Sequence, residues 1–303
     1  MTSPRWTLDT SELPYSAPYD TGWMRWFLAG HAVPGMETFT DGVYRRALRL
    51  DHGPAVVTCR FVPGDGGAGV VRVETRARDE SDVPTALSRV RRVLALDVDA
   101  APVDAALAAD PALAASVAAA PGIRVPGAFD AAEVLLRTMI GQQISLGAAA
   151  THTARLVAAL GDPVGDDEGE ADHGITRLFP TPEAVATHGT EILTGPARRV
   201  AAIASTADAL ASGAVDVRHD GDAATQERAL LALRGVGPWT ARYVSMRLLG
   251  DPDVLLDTDL VVRQGAALLD IDLSDTAHWS PWRSYASMHL WRTALLARGL
   301  TIG

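Results

Sequence analysis

The sequence predicts an α+β domain followed by an almost entirely helical region. Alternating or β-rich runs at 43–50, 55–62 and 69–77 predict strands. Glycine-rich turns separate these runs. After about residue 98 the apolar residues recur at helical spacing instead.

Helices are predicted on both sides of this boundary. In the N-terminal part, 21–32 and 81–96 have apolar residues at helical spacing. The segment 130–160 is too long for one globular helix, so we expect a break at 141–145, with Ser145 as N-cap of the second half. Small helices broken at Pro111 and Pro121 are expected in 103–122. Further helices are expected at about 181–188, 196–212, 222–233 and 238–249, and the last begins at Ser280-Pro281, with proline in the first turn.

Length and composition narrow the class of protein. The chain has 303 residues, 48% of them apolar, which is enough for about two or three domains. No apolar run is long enough to span a membrane, and residues 1–16 lack the pattern of a signal peptide, so we expect a cytoplasmic protein. The single cysteine, Cys59, excludes an intramolecular disulfide and is expected in a strand. The acidic, glycine-rich segment 161–174 is expected to be an exposed, mobile loop.

The charged residues bear on two questions, whether the chain binds nucleic acid and whether it can form a Schiff base. A net charge of −10 opposes nucleic-acid binding, although binding needs only one suitable face. All 27 residues of the Lys and Arg class are arginine, so no lysine side chain is present to form a Schiff base with a sugar aldehyde.

The segment LRGVGPWTARYV at 233–244 predicts a tight hairpin between two helices. Gly235 and Gly237 permit backbone angles closed to other residues. A helix that starts at Pro238 directs its unpaired N–H groups out of the turn, which makes an anion site from backbone alone. The alternative is a plain connection between helices.

Aromatic and acidic residues follow the hairpin. Trp239 and Tyr243 are four residues apart and share a helix face. Asp259 lies twenty residues after Trp239, in the apolar run VLLDTDLVV. An ionised carboxylate is costly to desolvate there, which indicates a function. The alternative is that Asp257 or Asp259 caps a helix starting near Leu260.

These motifs resemble the helix-hairpin-helix DNA glycosylases, and specifically the bacterial 3-methyladenine DNA glycosylase II (AlkA-type) family. Besides the hairpin, the segments PYDTGWMRWFLAGHAVPGMET, GIRVPGAFDAAEVLLRTMIGQQIS, FPTPEAVA and PWRSYASMHLW occur in the family's order. The resemblance implies an α+β N-terminal domain followed by a mainly α, two-domain helix-hairpin-helix glycosylase core. It divides the chain into 1–97, then 131–250 with the hairpin, and a second helical domain from 98–130 with 251–303, the active site lying in the cleft between the helical domains.

The resemblance assigns the catalytic role to Asp259, by its spacing from Trp239. Asp257 is the rival, because its spacing matches the endonuclease-III branch of the superfamily. That branch typically holds a cysteine-ligated cluster, and its lyase members have lysine where this chain has Trp239. We therefore expect a monofunctional enzyme that leaves an abasic site.

The resemblance also assigns a base pocket and a wedge. The aromatic side chains Trp239, Tyr243, Trp291 and Phe27 would line a pocket for an electron-poor base, or else form ordinary aromatic core. Leu260 stands where a family member has an aromatic residue, so the pocket is expected to be wider or its preference shifted. Gln143, in the turn between helices, matches the wedge leucine that fills the gap left by a flipped base; its alternative role is that of a simple turn.

Further assignments concern the DNA backbone. Gly235, Gly237 and Thr240 would donate to a phosphate. Arg234, Arg242 and Arg247 lie nearby in the sequence and are candidates for more phosphate contacts or for solvated surface. The carbonyls of Leu231, Leu233 and Val236 match a monovalent-cation site, for Na⁺ or K⁺.

The predicted partner is double-stranded DNA containing a damaged base. We expect a monomer that requires no cofactor. Two other functions stay open at this point: a glycosylase for oxidised or deaminated bases, and a non-catalytic module that only recognises distorted duplex.

Overall fold

The N-terminal part of the chain is built on one antiparallel sheet. The computed structural model describes residues 6–165 and 173–302, so residues 166–172, half of the acidic loop predicted at 161–174, lie outside the described residues. The sheet has five strands in the order β1-β5-β4-β3-β2. They are β1 (Thr7–Tyr15), β2 (Glu37–Thr40), β3 (Val43–Leu50), β4 (Gly53–Pro63) and β5 (Gly69–Ala77).

The three strands in the middle of the sheet are those that the sequence predicts. The two edge strands are not predicted. β1 contains Pro14, and proline is tolerated only where a strand has no neighbour on one side. β2 has only four residues, too few for an alternation to be recognised. Cys59 is buried in β4, as expected for a small strand residue.

Twelve α-helices lie within the described ranges. They are α1 (Thr21–His31), α2 (Val83–Val93), α3 (Ala101–Ala108), α4 (Pro111–Ala119), α5 (Ala131–Gly141), α6 (Leu146–Leu160), α7 (Pro182–Ile192), α8 (Ala197–Ala211), α9 (Ala223–Leu231), α10 (Pro238–Leu249), α11 (Leu260–Leu268) and α12 (Arg283–Ala297). No helix in these ranges has the length and apolarity needed to cross a membrane.

Two predictions about helix ends can be compared with the structure. The break between α5 and α6 is confirmed, and the Ser145 hydroxyl accepts the N–H of Ala148 at 3.2 Å as an N-cap. The prediction for the last helix is wrong. The N–H of Trp282 donates to the carbonyl of Trp279 at 2.6 Å, which continues a preceding turn, so α12 begins only at Arg283 and Pro281 lies before it.

Buried apolar side chains form three large clusters. The first joins the inner face of the sheet to α2. The second lies among α5 to α10. The third unites α3 and α4 with α11 and α12, although about 140 residues of sequence separate these pairs. The active-site candidates described below come from the second and third clusters and from α1.

Helix α1 connects the sheet to the helical part of the chain. Met24 and Leu28 pack in the sheet cluster, whereas Trp23 packs in the third cluster and donates its indole N–H to the carbonyl of Arg124 at 3.0 Å. The helix is therefore fixed from both sides. Its C-terminal turn carries Phe27 and His31 to the position where they line a cavity.

A close helix contact holds α11 against α12. A Cβ atom added at Gly265 would lie 2.0 Å from the carbonyl oxygen of Leu290. We expect Gly265→Ala to lower the free energy of unfolding by about 2–3 kcal/mol, because the backbone of one helix must move. Gly147→Ala is the matched control, since a Cβ there meets no atom within 4 Å and alanine favours the helix. Urea denaturation of both variants checks this, and equal stabilities would contradict it.

Candidate active site

The predicted hairpin is present between α9 and α10. Gly235 adopts φ +82°, a conformation that favours glycine, and a Cβ there would lie 2.9 Å from the Cβ of Ala202. Gly237 precedes α10 as its N-cap, and a Cβ on it would meet no atom within 4 Å. Within the described residues, the N–H groups of Gly235 and Gly237 have no hydrogen-bond acceptor. The turn therefore offers main-chain donors to a ligand outside the protein.

Gln142 braces this hairpin from the turn that follows α5. Its amide nitrogen donates to the carbonyl of Gly235 at 3.0 Å and to the hydroxyl of Thr240 at 2.9 Å. Arg199 donates in turn to the carbonyl of Gln142 at 2.9 Å. Thr240 is buried, with 2% of its surface exposed, and its hydroxyl already accepts the bond from Gln142, so its predicted phosphate contact stays a prediction.

Gln143, the predicted wedge, lies next to this brace. It is exposed and has φ +61°, which is uncommon for a residue with a side chain and stores local strain. Such strain persists only where neighbouring contacts enforce it, and the bonds of Gln142 supply them. The turn therefore presents Gln143 outward beside the hairpin.

Asp259 caps α11 and binds two tryptophans at the same time. Its Oδ1 accepts the N–H groups of Val261 at 2.8 Å and Val262 at 3.0 Å. The indole N–H of Trp291 also donates to Oδ1, at 2.9 Å, and that of Trp239 donates to Oδ2 at 3.0 Å. The capping role and a catalytic role are thus compatible. The four donors fix the carboxylate against the aromatic residues.

Asp257 has different surroundings. It is half-exposed, and its carboxylate pairs with Arg242 at 3.1 Å. Its carbonyl accepts Arg263 Nε at 3.0 Å. None of these contacts involves an aromatic side chain. Arg242 is likewise occupied by this pair, whereas Arg234 is exposed at the hairpin.

A cavity of about 300 Å³ is lined by four of the predicted pocket residues: Phe27, Trp239, Tyr243 and Trp291. Asp259 does not line this cavity itself, but two lining residues, Trp239 and Trp291, bind its carboxylate. The rings of Trp239 and Tyr243 are parallel within 6°, with centroids 5.2 Å apart. Trp291 is 6.2 Å from Tyr243 and tilted by 55°. Leu260, the fifth predicted residue, does not line the cavity and is 67% exposed.

Arg247 does not lie on the outer surface of the hairpin, where it was a candidate for phosphate contacts. Its guanidinium turns inward, where it donates to the Tyr243 hydroxyl at 2.6 Å, to the carbonyl of Gly127 at 2.7 Å and to that of Pro126. It also lies over the ring of Phe27, 4.5 Å from the centroid. Arg247 is therefore part of the cavity wall and not of the hairpin's outer surface.

The predicted cation site involves carbonyls of the same hairpin. The Leu233 carbonyl already accepts the N–H of Val236, at 3.2 Å. A carbonyl has a second lone pair, so this bond is compatible with a cation. Binding at Leu231, Leu233 and Val236 stays a prediction.

Comparison with known proteins decides the family. The family model of the AlkA N-terminal domain matches residues 10–130. A Mycobacterium tuberculosis protein named probable bifunctional transcriptional activator/DNA repair enzyme AlkA is 40% identical over 93% of this chain, and the match spans 56% of that protein's length. DNA-3-methyladenine glycosylase 2 of Escherichia coli is 32% identical, and the match covers 93% of this chain and 96% of the relative. The chain belongs to the AlkA family of DNA-3-methyladenine glycosylases.

Solved structures support the same fold. The 3-methyladenine DNA glycosylase of Archaeoglobus fulgidus has a TM-score of 0.77 at 21% identity, covering 94% of this chain and 98% of that one. An 8-oxoguanine glycosylase/lyase of Clostridium acetobutylicum in complex with duplex DNA has a TM-score of 0.68 at 15% identity, covering 98% and 100%. The predicted fold class, an α+β domain followed by a mainly α helix-hairpin-helix core, is confirmed. At these identities the likeness shows the fold and not the substrate.

Within this AlkA-family site, several residues have roles that were not predicted from the sequence, and Arg247 had been only a candidate for phosphate contacts or solvated surface. Gln142 braces the hairpin, Arg247 and His31 form part of the cavity wall, and Leu146 lines the cavity while 40% exposed. His31 follows Phe27 by four residues, and Arg247 follows Tyr243 by four. In a helix this spacing places two side chains on one face, so the signal was present.

Proposed function

We propose that this chain is a monofunctional DNA glycosylase that flips alkylated purines, such as 3-methyladenine and 7-methylguanine, out of duplex DNA and excises them by hydrolysis. The observation that carries the proposal is the carboxylate of Asp259, held by two indole and two main-chain N–H groups beside an aromatic cavity. The names of the relatives support the substrate class.

Asp259 would act on the sugar. Alkylation of a ring nitrogen makes the purine cationic and a good leaving group. When the bond from C1′ to the base nitrogen breaks, its electron pair goes to the base and positive charge develops on the sugar. A fixed carboxylate stabilises this oxocarbenium-like state. Water then bonds to C1′ and releases a proton, which leaves an abasic site.

The aromatic wall would bind the flipped base. An electron-rich ring face attracts a cationic or electron-poor base. Trp239 and Tyr243 come from α10, Trp291 comes from α12, and Asp259 is the N-cap of α11. The three aromatic residues belong to the third apolar cluster, whereas Val134 of the cavity wall belongs to the second, so the pocket lies where these clusters meet. This location supports an active site in a cleft between helical domains 131–250 and 98–130 with 251–303.

The hairpin and the turn after α5 would hold the duplex. Main-chain N–H groups of Gly235, Gly237 and Thr240 would donate to a phosphate, which needs no basic side chain and so suits a chain of net charge −10. Gln143 would fill the gap left by the flipped base and hydrogen-bond the orphaned partner. A cation at the hairpin carbonyls would strengthen phosphate binding, and no chemical step depends on it.

The test of this proposal is base release from methylated duplex DNA. We expect free methylpurine and abasic sites that break only after alkali, and no covalent adduct with borohydride, since no lysine side chain is present. Strand breaks without alkali would contradict the monofunctional mechanism. Release from duplexes containing 8-oxoguanine or hypoxanthine, and not from methylated DNA, would favour oxidised or deaminated substrates. Tight binding to damaged duplex without release of any base would indicate a non-catalytic module.

A further inference from the structure

The cavity wall contains an imidazole that the chemistry above does not use. His31 is the last residue of α1, and its ring stacks on Phe27 with centroids 3.8 Å apart and planes 18° apart. It therefore covers one face of Phe27 and lines the cavity itself. A base in the cavity would therefore contact the polar imidazole of His31 at this place. The sequence predicted only the apolar ring of Phe27 here.

Its hydrogen bonds define which nitrogen is free. Nδ1 lies 2.8 Å from the carbonyl oxygen of Phe27. A carbonyl can only accept, so Nδ1 carries the proton, and in the neutral ring Nε2 is an acceptor. Burial, together with the cations of Arg247 and Arg137, lowers the pKa of His31 to about 3, so the ring is neutral at physiological pH.

The Nε2 atom of His31 keeps an unused lone pair. Among the described residues it has no hydrogen-bond partner, and it is not one of the fully buried polar atoms without a partner. Because His31 lines the cavity, a base that entered it would come close to this ring and its unused lone pair.

Other polar groups of the wall are already engaged. Each guanidinium nitrogen of Arg247 donates to a protein oxygen. The carboxylates of Glu37 and Glu133 bind Arg46 and Arg137 and are 4% and 7% exposed. These groups hold the wall in place, and His31 retains an unused acceptor.

We propose that His31 is a specificity-determining residue whose Nε2 accepts a hydrogen bond from the exocyclic amino group of the flipped purine. The inference rests on the proposed function. A site built to pair with an N–H group disfavours an analogue that lacks it, since the acceptor is then desolvated without a partner. A cationic alkylpurine is also a stronger donor than a neutral base. The pocket would therefore favour 3-methyladenine, which has an amino group, over 1,N6-ethenoadenine, in which that nitrogen is closed into a ring without hydrogen.

His31→Phe tests this, because phenylalanine keeps a flat ring on Phe27 and removes the lone pair. In single-turnover assays we expect release of 3-methyladenine to fall about tenfold, the value of one hydrogen bond, and release of 1,N6-ethenoadenine to stay the same or rise, because the unpaired acceptor that disfavours it is gone. His31→Gln restores an acceptor and should recover part of the difference. Equal losses for both bases would assign His31 a purely structural role, and no loss for either base would also overturn the proposal.

A second measurement separates this inference from the proposed function. The ¹⁵N resonance of His31 Nε2 should shift when free 3-methyladenine is added and stay unchanged with 1,N6-ethenoadenine. This shift in a protein that releases no base from any duplex would refute the glycosylase function and keep the role of His31. Absence of the shift in a protein that excises 3-methyladenine would refute the role of His31 and keep the glycosylase function.

Discussion

Asp259→Asn is expected to lower the rate of base excision by about a thousandfold, or about 4 kcal/mol in activation free energy. The substitution removes the charge that stabilises the sugar cation, although it keeps the shape of the side chain. Asparagine caps helices as well as aspartate does. The fold should therefore persist, and loss of activity would report on chemistry.

The hydrogen bonds predict where the asparagine amide will point. Oδ1 accepts three donors, from Val261, Val262 and Trp291, whereas Oδ2 accepts only that of Trp239. The single oxygen of asparagine should keep the position with three donors. Its NH₂ group then faces the indole N–H of Trp239, and two donors cannot form a hydrogen bond. We therefore expect the indole resonance of Trp239 to shift in a ¹⁵N spectrum and that of Trp291 to change little.

Asp257→Asn is the matched control for this experiment. Asp257 is half-exposed and pairs only with Arg242 at its carboxylate, so its loss should change excision less than about threefold. The measurement is single-turnover release of methylpurine by both variants, with duplex affinity measured in parallel. Full activity of Asp259→Asn with loss in Asp257→Asn would move the carboxylate role to Asp257.

The hairpin and its acid could be predicted because their signals are local. A Gly-Val-Gly-Pro turn requires particular backbone angles at Gly235 whatever surrounds it. Asp259 lies directly before α11, so its capping geometry also follows from neighbours in sequence. In both cases a few consecutive residues determine the structure.

The remaining parts of the site depend on tertiary packing. Arg247 shares a helix face with Trp239 and Tyr243, yet only the rotation of α10 against residues 126–127 shows that this face is buried. His31 reaches the cavity because α1 is held between the sheet and the third cluster. Leu260 was assigned to the pocket by the family resemblance alone, whereas the start of α11 directs it to solvent. The spacing of residues within one segment does not show how that segment packs against the others.

Four buried charges join the sheet to α5 beside the cavity. Arg46 on β3 donates to Glu37 of β2 and to Glu133 of α5, and all three side chains are less than 10% exposed. Arg137 pairs with both carboxylates and donates to the carbonyl of His31 at 2.6 Å. Two positive and two negative charges therefore balance inside the protein, and the same cluster fixes the end of α1.

Arg46→Met is expected to lower the free energy of unfolding by about 3–5 kcal/mol, because two buried carboxylates then share one guanidinium. Arg49→Met on the same strand is the matched control. Arg49 pairs with Asp162 at 2.7 Å, but both side chains are about half-exposed, so the loss should stay below about 1 kcal/mol. Urea denaturation at neutral pH compares the two, and similar losses would show that the cluster adds nothing beyond a surface pair.

The stability lost in Arg46→Met should depend on pH, because the ionisation of Glu37 determines it. Burial raises the pKa of Glu37, but the guanidinium groups of Arg137 and Arg46 more than offset this and hold it below the ordinary value. Such a group stabilises the fold above its unfolded pKa, and the contribution disappears as the pH falls through the lower folded value. The difference in the free energy of unfolding between wild type and Arg46→Met should thus be largest near neutrality and become smaller below about pH 4. A difference that widens in acid would mean that Glu37 is protonated in the native protein, in which case Arg46 would not be balancing its charge.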